Sequence, residues 1–149
     1  MYETTRKRVA GIAALLVCRA AAFAVGAGEP LVVEGDCLVG REGFLFVYVV
    51  DEKGFAEPNT GLREARLRVG PAEAAAGRVH FLFNLPAGRY GVRCFLDLNG
   101  NGRLDKGPFG PTEPWGMSWN VARRAGFPRF GDIAFRVDRD IRELEIEVK

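Results

Sequence analysis

The sequence predicts an all-β fold, a β-sandwich of about seven short strands with one long loop rich in glycine, proline and aromatic residues. In most apolar segments, apolar and polar residues alternate with a period of two, which is the pattern of a half-buried strand. Turns that contain glycine separate these segments. Residues 98–130 form the long loop, because no periodicity is sustained there and Gly and Pro recur throughout.

The first three strands are predicted at residues 31–39, 44–50 and 62–69. The second, FLFVYVV, is apolar on both faces, which predicts a central strand. The third, LREARLRV, alternates arginine with apolar side chains and is predicted to be a half-buried strand, although a short helix would tolerate the same composition.

The remaining strands are predicted at residues 79–85, 89–97, 132–137 and 141–148. The turn at Pro86 leads us to expect that the fourth and fifth strands are antiparallel neighbours, and that the sixth and seventh form another pair. All seven strands would then pack as one sandwich.

Residues 1–27 have the order of a secretory signal peptide. A basic head precedes the apolar run VAGIAALLV and the small residues AAAFAVGAG, with cleavage predicted after Ala24 or Ala27. Residues 28–149 would then form a single exported domain, periplasmic or extracellular, without a transmembrane segment. Two alternatives are lipid attachment at Cys18 and an uncleaved amphipathic arm.

Removing this leader changes the charge of the chain. The leader carries four of the 21 basic residues and one of the 19 acidic residues, so the formal charge changes from +2 for the whole chain to −1 for the remainder. No run of Lys and Arg interleaved with aromatic residues is present either. Nucleic acid is therefore not expected as a partner.

Two cysteines, Cys37 and Cys94, lie outside the leader on the apolar sides of their predicted strands. In an oxidising compartment they could form a disulfide between sheets, provided that their Cα atoms lie within about 7 Å of each other. The alternative is two separate buried thiols, because cysteine is also a common core residue.

The long loop opens with DLNGNGRLD at residues 97–105, where side-chain oxygens stand at alternate positions. In the order of an EF-hand loop, Ca²⁺ ligands would come from Asp97, Asn99, Asn101, the carbonyl of Arg103, and Asp105. Pro108 stands where that pattern places a bidentate Glu, so Glu113 or Asp132 would have to complete the site. The predicted Kd is weak, on the order of 10⁻⁴ to 10⁻³ M. The alternative is a metal-free multiple turn, which Asn-Gly pairs and Asp side chains also favour.

The segment LPAGRYGVRCFLDLNGNGRLDKGPFGPTEPWGMSWN, followed by GFPRFGDIAFRV, resembles an exported bacterial family, domain-of-unknown-function family twenty-one forty-one. The resemblance implies an Ig-like or transthyretin-like antiparallel β-sandwich outside the cytoplasm, with no established activity. The sequence departs from the family pattern at three places: Leu96 replaces a His, Trp115 replaces a Tyr, and Met-Ser-Trp-Asn at residues 117–120 replaces Phe-Ser-Asn-Asn.

Catalytic motifs are scarce. The chain has one histidine, His80, on the side of its strand opposite Phe81, and one serine, Ser118, in a distant segment, so a Ser-His-Asp triad is not expected. Zinc is not expected either, because there is no Cys-x-x-Cys pair. The alternative to a non-catalytic role is a hydrolase that uses carboxylates on an envelope polymer or small metabolite.

A binding or envelope-structural role is the preferred hypothesis, with carbohydrate or another envelope protein as the partner. Aromatic residues cluster in the long loop, namely Phe109, Trp115, Trp119, Phe127 and Phe130. They would either offer a ligand surface, with Glu113, Trp115 and Asn120 as the candidate contacts, or form a small core that pins the loop to the sandwich.

Overall fold

The computed structural model describes residues 29–123 and 128–149, the side chains of residues 122 and 123 excepted. The strands are β1 (Leu31–Leu38), β2 (Gly43–Val50), β3 (Arg63–Val69), β4 (Val79–Leu85), β5 (Gly88–Asp97), β6 (Lys106–Gly107), β7 (Gly110–Pro111), β8 (Trp115–Met117), β9 (Phe135–Val137) and β10 (Ile141–Glu147). The helical segments are α1 (Pro71–Ala76), α2 (Phe130–Ile133) and two 3₁₀ segments, Gly54–Ala56 and Ser118–Arg123. The predicted leader, with its cleavage sites and Cys18, lies outside the described residues.

Two sheets pack face to face around an apolar core. The smaller sheet has the order β10-β1-β4, and the larger sheet has the order β3-β2-β5-β8, with β9 also paired to β5. Their facing side chains include the fully buried Val33, Leu45, Val92 and Ile146. The predicted all-β sandwich is confirmed, and the seven predicted strands correspond to β1–β5, β9 and β10. β2 lies between β3 and β5, as its two apolar faces predict.

The predicted strand partners are wrong. β4 pairs with β1 in the smaller sheet and β5 pairs with β2 in the larger one, so the turn after β4 crosses between the sheets. β9 pairs with β5, while β10 pairs with β1 in parallel, an exception to the antiparallel prediction. Alternation shows which side of a strand faces the core but does not show which strand lies beside it.

The outer face of the larger sheet is covered by a second apolar cluster. We call it the outer core; its buried members are Tyr48, Val50, Phe95, Val121, Phe130 and Ile133. The last two belong to α2, so the long loop folds back over β2 and β5. Residues 98–130 were predicted to lack regular structure, but they contain β6, β7, β8 and the second 3₁₀ segment. These elements are two to six residues long, too short for their periodicity to be visible in the sequence.

None of the helices within residues 29–123 and 128–149 has the length and apolar character needed to cross a lipid bilayer. The smaller sheet has a polar outer face, on which the imidazole of His80 lies 3.7 Å from a carboxylate oxygen of Glu34 and 3.2 Å from one of Asp36. The side chain of His80 is 58% exposed, which confirms the prediction that it faces away from the core.

Candidate functional site

The 97–105 loop is organised by the carboxylate of Asp97, at the end of β5. This residue is fully buried. Its Oδ1 accepts hydrogen bonds from the amides of Gly100 at 2.7 Å and Asn101 at 3.2 Å, and its Oδ2 accepts one from Gly102 at 2.8 Å. Gly100 and Gly102 have φ of 78° and 77°, a conformation that glycine adopts without strain. The sequence therefore wraps the loop around its first carboxylate.

The other oxygen-bearing residues stand around the same turn. Asn99 Oδ1 accepts from the amide of Asn101 at 3.0 Å, and Asn101 Oδ1 accepts from the amide of Arg103 at 3.0 Å. The side-chain amides of both asparagines donate to Asp105, at 2.6 Å from Asn99 and at 2.9 and 3.0 Å from Asn101. The structure thus brings together the side chains predicted to surround a metal, and it holds them with hydrogen bonds.

These bonds also stabilise the charged form of Asp105. Hydrogen bonds from Asn101 and then Asn99 lower the pKa of this carboxyl below its ordinary value of 3.8. The guanidinium of Arg103 lies 3.6 Å from Asp105 and acts in the same direction. Asp105 therefore remains ionised over the whole physiological range.

Glu113 links the loop to the strand that follows it. Its Oε1 accepts from the amide of Leu98 at 2.8 Å and its Oε2 accepts from the amide of Asp105 at 3.0 Å. The residue is only 7% exposed. Glu113 therefore closes the loop across its two ends, a role that the sequence did not indicate.

In the described part of the chain, no group of three or more His, Cys, Asp and Glu side chains has the arrangement of a metal site. Two of the five candidate ligands at residues 97–105 are asparagines and one is a backbone carbonyl, so this loop contributes only two side chains of these four types. Calcium at Asp97, Asn99, Asn101, Arg103 and Asp105 stays a prediction. Asp132, considered for the same site, instead caps the start of α2 by accepting from the amide of Arg129 at 2.7 Å.

Beside this loop, a groove of about 560 Å³ lies against the outer face of the larger sheet. Its apolar lining residues include Tyr48, Phe95, Leu104, Phe109, Trp115 and Met117. Asn59 and Lys106 add polar groups to the lining. Phe109, at the tip of the β6–β7 hairpin, is fully exposed.

The loop and the groove share a wall. Asn59 Oδ1 accepts from the amide of Leu104 at 3.2 Å, and both residues line the groove. Arg93 holds the segment that contains Asn59. Its guanidinium donates to the carbonyls of Phe55 at 3.2 Å and Thr60 at 2.6 Å, and also to that of Glu57. The order of the 97–105 loop therefore affects the shape of the groove.

Among the three candidate ligand residues, only Trp115 lines the groove. Glu113 accepts from two backbone amides of the 97–105 loop instead, and Asn120 Oδ1 accepts from the amide of Glu147 at 2.8 Å. Asn120 and the neighbouring Trp119 have φ of 53° and 63°, which is uncommon outside glycine. The structure does not bring these three side chains to one surface.

The segment WGMSWN, at residues 115–120, joins three parts of the fold. A Cβ at Gly116 would lie 2.2 Å from the carbonyl oxygen of Glu147, so only glycine permits this approach to the end of β10. Ser118 is fully buried; its hydroxyl donates to the carbonyl of Ile133 at 2.6 Å and accepts from the amide of Val92 at 3.1 Å. We call residues 115–120 the clasp.

These contacts also bear on catalysis. Ser118 lies behind the larger sheet, whereas His80 lies on the outer face of the smaller sheet, so no serine–histidine pair forms. Leu96, where the family pattern has a histidine, is a core residue that is 1% exposed. The site that sequence analysis missed is the groove, because β2, the hairpin tip and the clasp meet there only through folding.

The loop aromatics divide between buried and exposed positions. Phe130 is buried in the outer core and Trp115 packs against it, while Phe109 and Trp119 are exposed. Phe127 lies outside the described residues. Some rings therefore pin the loop to the sandwich and others face solvent, and the ligand surface stays a prediction.

No curated protein and no solved structure is similar enough to the chain to count as a match. A family model described as "Uncharacterized protein conserved in bacteria (DUF2141)" matches residues 36–145. The matched region runs from β1 to β10 and includes the 97–105 loop, the groove and the clasp. On this match, the chain belongs to that family of uncharacterised bacterial proteins.

Proposed function

We propose that the protein is an exported, non-catalytic binding module whose groove takes a carbohydrate chain. The observation that carries this proposal is the groove itself, an apolar depression with Trp115 in its lining and exposed Phe109 at its edge. Sugar rings have flat C–H faces that pack on aromatic rings, and their hydroxyls bond to polar groups such as those of Asn59 and Lys106.

Export is part of the proposal because of the leader. Its order of basic head, apolar run and small residues is typical of a secretory signal. A protein outside the cytoplasm meets the polysaccharides of the cell envelope, which are the carbohydrates we regard as candidate ligands.

A weakly bound calcium ion is the second part of the proposal. Asp97 and Glu113 are buried carboxylates, and neither forms an ion pair with a basic side chain in the described part of the chain. Asp97 Oδ2, Asn99 Oδ1 and Asn101 Oδ1 each accept one N–H and keep a second lone pair for a cation. Calcium would compensate these charges and stiffen the wall that the loop shares with the groove.

The hydrolase alternative has less support. Each oxygen of Asp97 and of Glu113 accepts at least one backbone N–H, so both carboxylates are engaged in structural hydrogen bonds and are not free to exchange protons with a substrate. A binding role needs no such exchange, and it uses the side chains that actually line the groove.

Tryptophan fluorescence tests the carbohydrate proposal. The chain has two tryptophans, so Trp119→Phe leaves Trp115 as the only one, and its emission reports on the groove. We expect soluble glycan fragments of the bacterial cell wall to change this emission saturably, without release of a shorter product. Chromatography of the glycan after incubation checks for turnover.

Two further variants make the test specific. Phe109→Ala removes the exposed ring at the groove and should weaken binding about tenfold, roughly the value of one aromatic contact. Leu82→Ala removes an exposed apolar side chain from the outer face of the smaller sheet and serves as the matched control. Equal affinity in both variants would contradict binding at the groove, and glycan cleavage that Glu113→Gln abolishes would favour the hydrolase.

A further inference from the structure

The two sheets each contribute one cysteine to the core between them. Cys37 lies in β1, the middle strand of the smaller sheet, and is fully buried. Cys94 lies in β5 of the larger sheet and is 3% exposed. Both belong to the same apolar cluster, and their side chains are in hydrogen-bonding contact as free thiols.

This arrangement places one thiol from each sheet in the same buried core. A disulfide fits a native backbone when the two side chains point at each other and the Cα atoms are about 7 Å apart or less. β1 and β5 lie in facing sheets and share no backbone pairing, so the contact between the thiols arises from packing. We propose that Cys37 and Cys94 are a cross-linking site, at which a disulfide oxidant joins the two sheets covalently.

The chemistry is thiol–disulfide exchange. One cysteine thiolate attacks the disulfide of the oxidant, breaks its S–S bond and forms a mixed disulfide. The second thiolate then attacks the protein sulfur of that mixed disulfide and forms the Cys37–Cys94 bond. Two protein thiols lose two protons and two electrons, and the oxidant is reduced to two thiols.

The surroundings of the thiols decide when this reaction occurs. The hydrogen bond that the Cys94 thiol donates to Cys37, and then burial, raise the pKa of Cys94 well above its ordinary value. A thiol held protonated is a poor nucleophile, and a buried one is out of reach of an oxidant. The bond therefore forms while the chain folds, and the folded dithiol reacts slowly.

The test begins with the reduced chain carrying Cys18→Ser, so that only the two core cysteines remain. The protein is unfolded, refolded in oxidised and reduced glutathione, and then denatured and treated with iodoacetamide. Mass spectrometry should show a Cys37–Cys94 linked peptide, a loss of two hydrogen atoms and no alkylation of either residue. Alkylation of both, or glutathione retained on either, would overturn the proposal.

Thermal unfolding gives a second, independent result. The bond closes a long loop of chain in the unfolded state, so the oxidised protein should melt higher than the reduced protein, by on the order of 10 °C. The variant Cys37→Ala cannot form the bond, and its melting temperature should not respond to the oxidant. An oxidised protein that melts no higher than its reduced form would also overturn the proposal.

Discussion

At the scale of single residues, the 97–105 loop depends most on Asp97. The two carboxylate oxygens accept three backbone amides in a fully buried position. Asparagine has the same shape but only one acceptor oxygen, so its side-chain amide would face an amide donor. This residue therefore offers the clearest test of how the loop is held.

We predict that Asp97→Asn lowers the free energy of unfolding by about 2–3 kcal/mol, because a buried amide loses its charged acceptor. Urea unfolding measures the loss. Asp138→Asn is the control, since Asp138 is 56% exposed and its ion pair with Arg136 lies at the surface. Equal losses in the two variants would show that Asp97 does not organise the loop.

Asp105 should make stability depend on pH. Its folded pKa is depressed by Asn101 and Asn99, so its stabilising contribution is fully present above the ordinary value of 3.8 and is lost as pH falls through the folded value. We expect the difference in unfolding free energy between wild type and Asp105→Asn to shrink with acidification across this window. Urea unfolding at several acidic pH values checks it, and a difference that does not change with pH would contradict the assignment.

At the scale of elements, the clasp joins β8 to the end of the chain. Trp115 and Lys149 exchange two backbone hydrogen bonds, at 3.1 and 3.2 Å, and Asn120 accepts from the amide of Glu147. This part of the long loop therefore connects the two sheets at one edge of the sandwich. The clasp, which contains two of the three departures from the family pattern, thus has a structural role in this chain.

We predict that Gly116→Ala lowers the free energy of unfolding by about 1–3 kcal/mol, because a Cβ 2.2 Å from the carbonyl oxygen of Glu147 forces the strands apart. Gly40→Ala is the matched control, since nothing lies within 4 Å of the Cβ added there. Its effect should stay within about 0.5 kcal/mol. Chemical unfolding of both proteins gives the comparison, and an unchanged Gly116→Ala would refute the close approach.

The calcium proposal is also tested at the scale of the loop. With a Kd of about 10⁻⁴ to 10⁻³ M, about 10 mM Ca²⁺ should raise the free energy of unfolding of the chelator-treated protein by about 1.4–2.7 kcal/mol. Asp105→Asn removes one ligand at a partly exposed position and should lose this response. Thermal unfolding with Ca²⁺, and with Mg²⁺ as a control, measures it. If calcium leaves wild type unchanged, the loop is a metal-free turn.

At the scale of the whole molecule, the export proposal rests on the predicted leader. We predict that expression in bacteria with the native leader yields an exported product whose first residue is Val25 or Gly28. Replacing Arg6, Lys7 and Arg8 with Glu should abolish export, because the basic head is lost. N-terminal sequencing of the exported fraction checks both, and a product that keeps Met1 inside the cell would contradict the signal peptide.

The sandwich is also held together by its shared core. β4 and β5 are consecutive in the chain and belong to different sheets, and so do β9 and β10. Each crossing places the apolar side of both strands in the same core. The burial pattern of β4, alternating along Val79–Leu85, is what the sequence predicts, although its partner is β1.

The sequence by itself determined the all-β class, the positions of seven strands and the sides of those strands that are buried. These features are visible in the sequence because successive side chains of a strand point to opposite faces. A strand with one buried face therefore has an apolar residue at every second position. The family pattern was visible for a similar reason, since the turn at residues 97–105 requires Asp, Asn and Gly at set positions.

Only the tertiary structure decided which strands pair, that Glu113 and Asn120 hold backbone amides, and that Trp115 lines a groove with Phe109. Each depends on contacts between residues far apart in the chain, which no local periodicity records. The approach of Cys37 to Cys94 belongs with them: the sequence placed both thiols on apolar sides, and the packing of two sheets brought them into contact.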